Sequence, residues 1–528
     1  MPQFNRFNVG QLFVVGFNKP EIDQDITALI RDYGVGTVIL FRRNMQSPEQ
    51  LQKLCHDLQK MAKEAGHKHP LLFSIDQENG LVPRLASPLA AQLPGGMTLG
   101  ATGSLERARE CANVTGEILQ FYGININYAP VGDVNSEPRN PVISIRSPGD
   151  NPQKVSQFAS AAARGLREKN VIPCIKHFPG HGDTTVDSHF GLPVVNKTKS
   201  DLENLEFIPF RDAAAQDIEM VMTAHISLPQ ITGSNVPATL SPEVLNILRT
   251  EMGYNGVVVT DCLEMDGVKT TYGTVEGSLM ALQAGVDCPM VSHTFERQSA
   301  AIDRVTKAVN SGELAIERLN ESLDRLEKLK LRFTSWETAL TMQPSDKIAA
   351  INESGRKLAQ QVYVESCSVV RSKDKVFPIS MTAKTVLVYP NTKTEVGTYG
   401  ILGGQVPSKS PFSPDVPGEF VDILRLKNPS LHTVTFDKNS SLSEEDWKLV
   451  DNADIVIFAS RNAIRQQYQR EVGLQLSKRC GSKLVTIATC APYDFLQDSE
   501  IVTYITMYEP TPEAFQGVVS VMYGETLA

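Results

Sequence analysis

Short apolar runs alternate with amphipathic stretches along the first 290 or so residues of the chain. Each run is strand-sized and nearly continuous in hydrophobic character, a pattern typical of parallel strands buried on both faces. The stretches between the runs place apolar residues at helical spacing. The runs occupy residues 10–17, 36–41, 70–76, 126–134, 171–178, 220–227, 256–263 and 286–292.

Helix signals fall where this alternation requires them. Ser47-Pro48 precedes an amphipathic stretch over 47–66, and proline is favoured at the first helical position. A second stretch, 105–123, closes on Gly123, a typical residue just after a helix end. Eight strand–helix units in about 280 residues predict a (β/α)8 TIM-type barrel, with a doubly wound open sheet as the rival architecture.

The second half of the chain carries a new set of strands. A helix over 315–333 ends the first set, residues 334–346 read as a linker, and a helical pattern covers 347–364. We therefore predict a barrel domain (1–333), the linker (334–346) and a C-terminal α/β domain (347–528) with an open, mainly parallel, flavodoxin-like sheet. The strands of that sheet are predicted at 385–390, 432–436, 453–460, 483–489 and 501–507.

Composition and charge exclude several classes of function. The chain has 51 basic and 60 acidic residues and a net charge of −9, which disfavours a nucleic-acid binder. No apolar run approaches the ~20 residues of a membrane span, so we expect no membrane partner. No secretory signal is visible, and eight scattered cysteines suit reduced thiols, so we expect a cytoplasmic protein. No glycine-rich nucleotide fingerprint follows a strand, and no cofactor is predicted.

Polar or charged residues follow the apolar run at six of the eight barrel strands. In a barrel of this kind, the carboxyl ends of the strands and the loops after them form the active site. One such residue alone would be an ordinary loop residue, but six together predict a shared pocket. They are Asp76, Asp133, Lys176 with His177, His225, Asp261 and His293.

The densest chemistry lies in KHFPGHGDTTVDSHFGLP, residues 176–193. The segment holds three of the nine histidines and two aspartates, with glycines that permit a long, shaped loop. It could be a polar surface loop, or a zinc or iron site built from histidine and aspartate. It could also hold an acid/base pair, because Asp187 and His189 are two residues apart and would point the same way in an extended loop.

The sequence KHFPGHGDTTVDSH resembles the signature of glycoside hydrolase family 3, specifically its β-N-acetylglucosaminidase branch. Other segments are similar to further motifs of that branch and follow in the family's order. The second half of the chain resembles the α/β domain of many members in general pattern only. The similar segments are DQENGLVPR (76–84), INYAPVGDV (126–134), NPVISIRSPG (140–149) and VVVTDCLEM (257–265).

The resemblance implies a role for each matching residue. Asp261 would be the nucleophile that forms a covalent glycosyl-enzyme, and His189, paired with Asp187, would be the general acid/base. A retaining glycosidase needs such a carboxylate and proton donor on opposite sides of the scissile bond. No metal is implied. The residues that would hold the sugar hydroxyls and acetamido group are Asp76, Arg84, Arg146, Lys176 and His177.

The chain departs from the branch pattern at three positions. Asn79 stands where glycine is common and Leu81 where arginine is common. The latter change would alter recognition on the leaving-group side if that arginine touches substrate. Cys262 replaces the frequent aspartate after the nucleophile, and a thiol there could make the enzyme sensitive to alkylation.

Three functions follow as hypotheses. The first is a retaining, exo-acting β-N-acetylglucosaminidase acting on chitooligosaccharides, peptidoglycan fragments or other N-acetylglucosamine conjugates. The second is a phosphorylase that uses the same site with phosphate as acceptor, since a neutral histidine repels phosphate less than a carboxylate does. The third is a metal-dependent barrel hydrolase. Three roles are open to the second domain: shaping the leaving-group side, forming a homodimer interface, or stabilising the barrel.

Overall fold

The first half of the chain forms a closed barrel of eight parallel strands in sequential order. The computed structural model describes residues 4–372, 376–391 and 416–525. The first strand pairs with both the second and the eighth through Val14, which closes the barrel and confirms the predicted architecture over the open-sheet rival. The strands are β1 Val14–Val15, β2 Thr37–Ile39, β3 Leu72–Ile75, β4 Ile126–Asn127, β5 Ile172–Phe178, β6 Met220–Thr223, β7 Val257–Cys262 and β8 Cys288–Val291.

The strands are buried on both faces, as their near-continuous apolar runs predict. In β6, Met222 shares one buried cluster with Val259 of β7, whereas their neighbours Val221 and Val258 belong to a different buried cluster. Successive side chains point to opposite faces of a strand, so one set faces the barrel interior and the other the surrounding helices. Both layers exclude water, which fixes the register of the barrel.

The helices of the barrel begin at polar caps. The side chains of Ser47, Ser104 and Asn151 each accept a backbone N–H of the first helical turn. Gly123 has φ +75° just after a helix end, as its position predicts. The helices are α1 Arg6–Gly10, α2 Gln24–Arg31, α3 Pro48–Glu64, α4 Gly96–Thr102, α5 Leu105–Phe121, α6 Pro152–Arg167, α7 Lys199–Glu203, α8 Ile208–Ala215, α9 Pro229–Thr232, α10 Pro242–Asn246, α11 Asp266–Lys269, α12 Thr274–Ala284, α13 Phe295–Ser311 and α14 Ile316–Phe333.

The second half forms an open sheet of six strands in the order β11-β10-β12-β13-β14-β9. The prediction of a mainly parallel sheet is confirmed, with one addition at its edge: β9 pairs antiparallel with β14. Its residues Val369 and Val370 are exposed, so its sequence lacks a buried apolar run. The strands are β9 Ser368–Ser372, β10 Thr385–Pro390, β11 His432–Phe436, β12 Ile455–Ser460, β13 Leu484–Ala488 and β14 Thr503–Thr506.

Six further helices complete the described chain. A short one, α15, lies inside the segment predicted as a linker. The division into domains at residues 334 and 346 stays a prediction. The last residues of the predicted C-terminal domain, 526–528, lie outside the described residues. The helices are α15 Trp336–Ala339, α16 Lys347–Ser366, α17 Val416–Lys427, α18 Glu444–Asp451, α19 Gln467–Cys480 and α20 Pro512–Tyr523.

The second domain docks on the barrel through a buried carboxylate. Glu509, between β14 and α20, accepts hydrogen bonds from the Gly95 backbone N–H (2.8 Å) and the Thr98 hydroxyl (2.9 Å) of the barrel. Its other oxygen accepts from Tyr363 of α16 at 2.5 Å. Helix α16 itself packs on α4 and α5 of the barrel and on α20. The two sheets are therefore tied at a loop that follows β3.

No helix in the described ranges combines the length and the apolar character needed to cross a membrane. All eight cysteines are unpaired, and seven of them are buried. The free thiols agree with the expected reduced state. The cytoplasmic location stays a prediction, as does a homodimer.

The amino-terminal end of the barrel buries an ammonium group. Lys330 of α14 is 3 % exposed, and the partner of its Nζ atom is the amide oxygen of Gln11, 3.2 Å away. Burial lowers the pKa of Lys330 to about 8, because the charged form loses its hydration without gaining a carboxylate partner. The charged side chain therefore costs stability at neutral pH.

We predict that Lys330→Met raises the free energy of unfolding by about 2 kcal/mol at pH 7. The folded-state pKa lies below that of the unfolded chain, so the cost of Lys330 is complete below pH 8 and fades as pH rises toward 10.5. The gain should therefore shrink between pH 7 and pH 10 in urea titrations. Exposed Lys328 on the same helix is the control, and Lys328→Met should have little effect. A loss of stability in Lys330→Met, or a gain independent of pH, would contradict this account.

Candidate active site

The strand-end residues converge at the carboxyl end of the barrel. Asp76 directly follows β3, Lys176 and His177 lie in β5, and Asp261 lies in β7. The pairing register shifts between Lys176 and Phe178 in β5, and again between Val259 and Cys262 in β7. Such irregularities re-aim side chains beside active sites. Here they fall on the segments that carry His177 and Asp261.

A buried carboxylate organises the cationic part of the pocket. Glu78 binds the Lys176 ammonium at 2.6 Å and the Arg146 guanidinium through two bonds of 2.7 and 2.8 Å. Lys176 also donates to Asp76 at 2.8 Å. Asp76, Arg146 and Lys176 are therefore brought together as the resemblance implies. Glu78 itself was not predicted, although its position two residues after Asp76 would place both carboxylates on one side of an extended segment.

The charges of this cluster fix its protonation. Burial alone would raise the pKa of Glu78, but Arg146 and Lys176 hold it far below the usual range. Burial alone would lower the pKa of Lys176, but Asp76 and Glu78 raise it. Glu78, Arg146 and Lys176 thus stay ionised and form a network of charge-assisted hydrogen bonds that could bind sugar hydroxyls.

Arg84 lies beside this cluster and has unused donor capacity. One of its terminal nitrogens is 3.5 Å from Asp76 Oδ2, and its buried Nε finds no protein acceptor among the described residues. The loop that carries it is held in place, because Arg42 donates two hydrogen bonds to the Pro83 carbonyl (2.6 and 3.2 Å). A buried donor without a partner is costly, so a ligand acceptor is the natural partner of Arg84.

A second buried carboxylate supports two histidines. Asp133 lies in the segment that follows β4. It accepts a hydrogen bond from His177 Nδ1 at 2.7 Å and another from the His177 backbone N–H at 3.1 Å. It also accepts the backbone N–H of His181 at 2.7 Å. His177 Nε2 lies 3.3 Å from Arg146. Asp133 therefore orients a predicted sugar-binding residue and the start of the 176–193 loop.

The predicted acid/base pair is present in that loop. His189 Nδ1 lies 2.7 Å from Asp187 Oδ1, which also accepts the His189 backbone N–H at 2.9 Å. Burial would raise the pKa of Asp187, but its hydrogen bond and charge interaction with His189 lower it. A carboxylate on Nδ1 fixes the imidazole tautomer. The Nε2 atom of His189 has no hydrogen-bond partner in the described part of the chain and is available to a substrate.

Asp261 is an ionised carboxylate with one oxygen tethered. Its Oδ1 accepts the backbone N–H of Cys262 at 2.7 Å. Burial acts to raise its pKa, but the charges of His177, His225, His189 and Lys176 lower it to about 2. The charge of the His189 imidazole is therefore among those that lower the pKa of the predicted nucleophile, Asp261. Asp261 is therefore anionic at any pH near neutrality.

Two other strand-end histidines have supporting positions. His225 is buried, and its ring nitrogens contact Thr239 Oγ1 (2.9 Å) and the Cys262 carbonyl (3.0 Å), so it braces the backbone next to Asp261. Burial lowers the pKa of His225. The His293 ring packs on Phe41 with centroids 5.3 Å apart. Neither was included among the residues predicted to act on substrate.

The side chains considered for a metal have protein partners. Asp183 pairs with Lys197 at 2.9 Å, and the His181 ring is bonded on both sides, to Thr184 (2.9 Å) and Ser188 (3.1 Å). Among the described residues, no group of three or more His, Cys, Asp or Glu side chains is arranged to hold a metal ion. His181 and Asp183 thus hold the loop in shape through contacts with other protein groups.

Two departures from the branch pattern have a structural explanation. Asn79 has φ +67°, a conformation that glycine adopts freely and asparagine tolerates best among other residues. Leu81 packs against a buried cluster that includes Cys490 and Ala491 of the second domain. The second domain therefore covers the segment between Glu78 and Arg84.

The third departure places a buried thiol next to Asp261. Cys262 is buried, its Sγ lies 3.0 Å from Ser292 Oγ, and burial raises the pKa of its thiol to about 12. The thiolate is the reactive form, and it is scarce at neutral pH under these conditions. Burial and the raised pKa thus disfavour alkylation of Cys262, and the expected sensitivity stays a prediction.

Comparisons with known proteins agree with this geometry. Residues 6–329 match the family model described as the glycosyl hydrolase family 3 N-terminal domain. β-Hexosaminidase A of Pseudoalteromonas piscicida is 34 % identical over 390 residues, which are 70 % of this chain and 64 % of that protein. β-Hexosaminidase LpqI of Mycobacterium tuberculosis is 34 % identical over 331 residues, 62 % of this chain and 82 % of that protein.

Two solved structures are similar along the whole chain. A family 3 β-N-acetylglucosaminidase from Paenibacillus sp. has a TM-score of 0.87 at 35 % identity, covering 100 % of this chain and 98 % of that chain. A fungal multi-domain family 3 β-N-acetylglucosaminidase has a TM-score of 0.89 at 36 % identity, covering 99 % of this chain. This chain spans 60 % of that fungal protein and 64 % of the Pseudoalteromonas enzyme.

Proposed function

The chain belongs to glycosyl hydrolase family 3, and on that premise we propose that it is a retaining, exo-acting β-N-acetylglucosaminidase. It would remove terminal N-acetylglucosamine from chitooligosaccharides or related glycoconjugates. The observation that carries the proposal is a His189 imidazole bonded to Asp187 at 2.7 Å, together with an ionised Asp261 at the end of β7 whose pKa the charge of His189 helps to lower. The names of the relatives support the sugar, since four similar proteins are hexosaminidases or N-acetylglucosaminidases.

In the first step, Asp261 attacks the anomeric carbon while the bond to the leaving oxygen breaks. The Oδ2 atom is the attacking oxygen, because Oδ1 is held by the Cys262 N–H. His189 gives its Nε2 proton to the leaving oxygen, and the products are a glycosyl ester on Asp261 and the free leaving group. Asp187 keeps the proton on Nδ1 and stabilises the imidazolium form that donates.

In the second step, water replaces the sugar on Asp261. His189, now neutral at Nε2, takes a proton from the water as its oxygen bonds to the anomeric carbon. The ester bond breaks and its electron pair returns to Asp261. N-acetylglucosamine leaves with the configuration of the substrate, and His189 carries the proton needed for the next cycle.

The ionised cluster beside this pair would hold the sugar. Asp76 and Glu78 keep Lys176 charged, and each group retains hydrogen-bonding capacity toward a ligand. Arg84 supplies a donor, Nε, that has no acceptor among the residues the structure describes. The remaining predicted contacts are from Arg146 and His177, which Glu78 and Asp133 hold in place. Charged and hydrogen-bonding side chains held in fixed positions discriminate between sugars by their hydroxyl and amide groups.

A second candidate function is phosphorolysis at the same site. The observation that favours it is the imidazole of His189, bonded to Asp187, at the position where most glycosidases use a carboxylate, because a neutral imidazole repels phosphate less. Phosphate would then take the place of water in the second step and release a sugar 1-phosphate. Both candidates share the first step, so the acceptor alone separates them.

We predict that the enzyme prefers aryl 2-acetamido-2-deoxy-β-glucosides to aryl β-glucosides by at least about 100-fold in kcat/KM. A pocket that pairs its polar groups with an amide leaves them unpaired when the amide is missing. Steady-state rates on the matched aryl glycosides measure this, with and without added phosphate, and chromatography identifies free sugar or sugar 1-phosphate. Asp261→Asn serves as the inactive control. Equal rates on the two glycosides would refute the assignment of the sugar.

We predict that His189→Ala loses activity in proportion to how much the leaving group needs a proton. Chitobiose, with a poor leaving group, should be cleaved at least about 100-fold more slowly than by wild type. A nitrophenyl leaving group needs little assistance, so the first step should survive. The second step still lacks its base, so the glycosyl-enzyme should accumulate with a burst and a lowered KM. Rapid mixing of the nitrophenyl substrate measures the burst.

Asp187→Ala tests the same pair from its other side. It should show the same trend more weakly, because Asp187 orients the imidazole without transferring the proton to substrate. Equal losses on chitobiose and on the nitrophenyl substrate, with no burst in His189→Ala, would remove His189 from the mechanism.

A further inference from the structure

The segment that carries the acid/base pair is anchored at its two ends. On one side, Asn140 donates to the carbonyls of His181 (2.9 Å) and Gly182 (3.0 Å). On the other, Val195 and Ser227 are joined by a backbone hydrogen bond of 2.9 Å. Asp187 and His189 lie between these anchors, in residues 185–192, which we call the acid/base segment. The contacts that the acid/base segment makes with the rest of the protein therefore determine the orientation of the His189 imidazole.

Polar contacts from the acid/base segment to the rest of the described chain converge on Ser188. Its carbonyl accepts the Gly267 backbone N–H at 3.2 Å, and its hydroxyl contacts His181 Nε2 at 3.1 Å. Apolar packing adds little, because Val186 is 47 % exposed and Phe190 is 69 % exposed. Ser188 is the residue between the two members of the pair. Its side-chain contact thus controls both neighbours.

His181 is built to receive that hydroxyl. The ring is buried, and the Thr184 hydroxyl donates to the His181 carbonyl at 3.1 Å. The Thr184 hydroxyl has a single proton, which it donates to the His181 carbonyl, so His181 Nδ1 must be the donor in its contact with Thr184 Oγ1. In this neutral tautomer Nε2 carries no proton, and it accepts the hydrogen bond of the Ser188 hydroxyl. Burial and the neighbouring His177 lower the pKa of His181 to about 4, so this neutral tautomer is the form present near neutral pH.

We propose that His181 is a positioning residue for proton transfer: by accepting the Ser188 hydroxyl, it holds Asp187 and His189 in the orientation that protonates the leaving group. The inference rests on the proposed function, because it assigns a role to His181 within that reaction. Asp133 fixes the other end of the same residue through the His181 backbone. His181 thus connects the two parts of the site: its backbone binds Asp133 of the barrel, and its ring binds Ser188 of the acid/base segment.

The test compares two amide substitutions of the same ring. In His181→Gln, the amide reaches the position of Nε2 and can still accept from Ser188. In His181→Asn, the amide reaches only the position of Nδ1 and keeps the Thr184 contact. Both are buried polar replacements, so a general loss of packing affects them alike. Ser188→Ala removes the hydroxyl from the other side of the contact.

We expect His181→Asn and Ser188→Ala to slow chitobiose cleavage about tenfold, the usual effect of one lost hydrogen bond, and to slow the nitrophenyl first step less than about twofold. His181→Gln should retain most of the chitobiose activity. The double variant His181→Asn/Ser188→Ala should be no worse than either single one, because both remove one interaction. Equal losses in the Gln and Asn variants on both substrates would reduce His181 to a structural residue and overturn the proposal.

A second readout does not depend on turnover. Amide hydrogen exchange across residues 185–192, measured without substrate, should be faster in His181→Asn and Ser188→Ala and unchanged in His181→Gln. Unchanged exchange in all three variants would also overturn the proposal. If wild type cleaves neither glycoside, the proposed function fails, while the exchange pattern still shows whether His181 holds the segment.

Discussion

Compensation of buried charge is the constraint on which this structure depends. A charge taken from water without a partner costs several kcal/mol, and the pocket contains many charged groups. Lys176 and Arg146 are balanced by Glu78, and Asp187 is hydrogen-bonded to the His189 ring and backbone. Among the described residues, Asp261 has no cation in direct contact, and its stabilisation comes from charges at longer range and one backbone N–H. That arrangement leaves it ionised and free to react.

The rest of the fold holds these charged groups in position. The barrel delivers them at strand ends, and the second domain clamps the loop that carries Glu78 and Arg84. The Glu509 carboxylate occupies the space between Gly80 and Gly95, where a Cβ on either glycine would come within 3.0 Å of Oε2. Leu81 of the same loop packs against the cluster that includes Cys490 and Ala491. These contacts support two of the roles left open by the sequence, stabilising the barrel and shaping the site.

Strand positions and the residues that end them were predictable because burial on both faces leaves a strong apolar signal. The contact between Asp187 and His189 was predictable because the two residues are close in sequence. Glu78 was missed, since its role comes from Lys176 and Arg146, about 100 and 70 residues away. The raised pKa of Cys262 depends on burial that no local pattern reveals. The exposed edge strand β9 lacks the apolar run by which strands are recognised, and Lys330 reads as an ordinary helical lysine.

The most direct test of the account is to identify the nucleophile by trapping it. A 5-fluoro N-acetylglucosaminyl fluoride slows both steps by destabilising their positively charged transition states, while its good leaving group lets the ester accumulate. Digestion and tandem mass spectrometry then locate the added sugar. The account predicts a single label on Asp261, absent in Asp261→Asn and longer-lived in His189→Ala. A label on another carboxylate, or turnover of the reagent without any labelled protein, would contradict it.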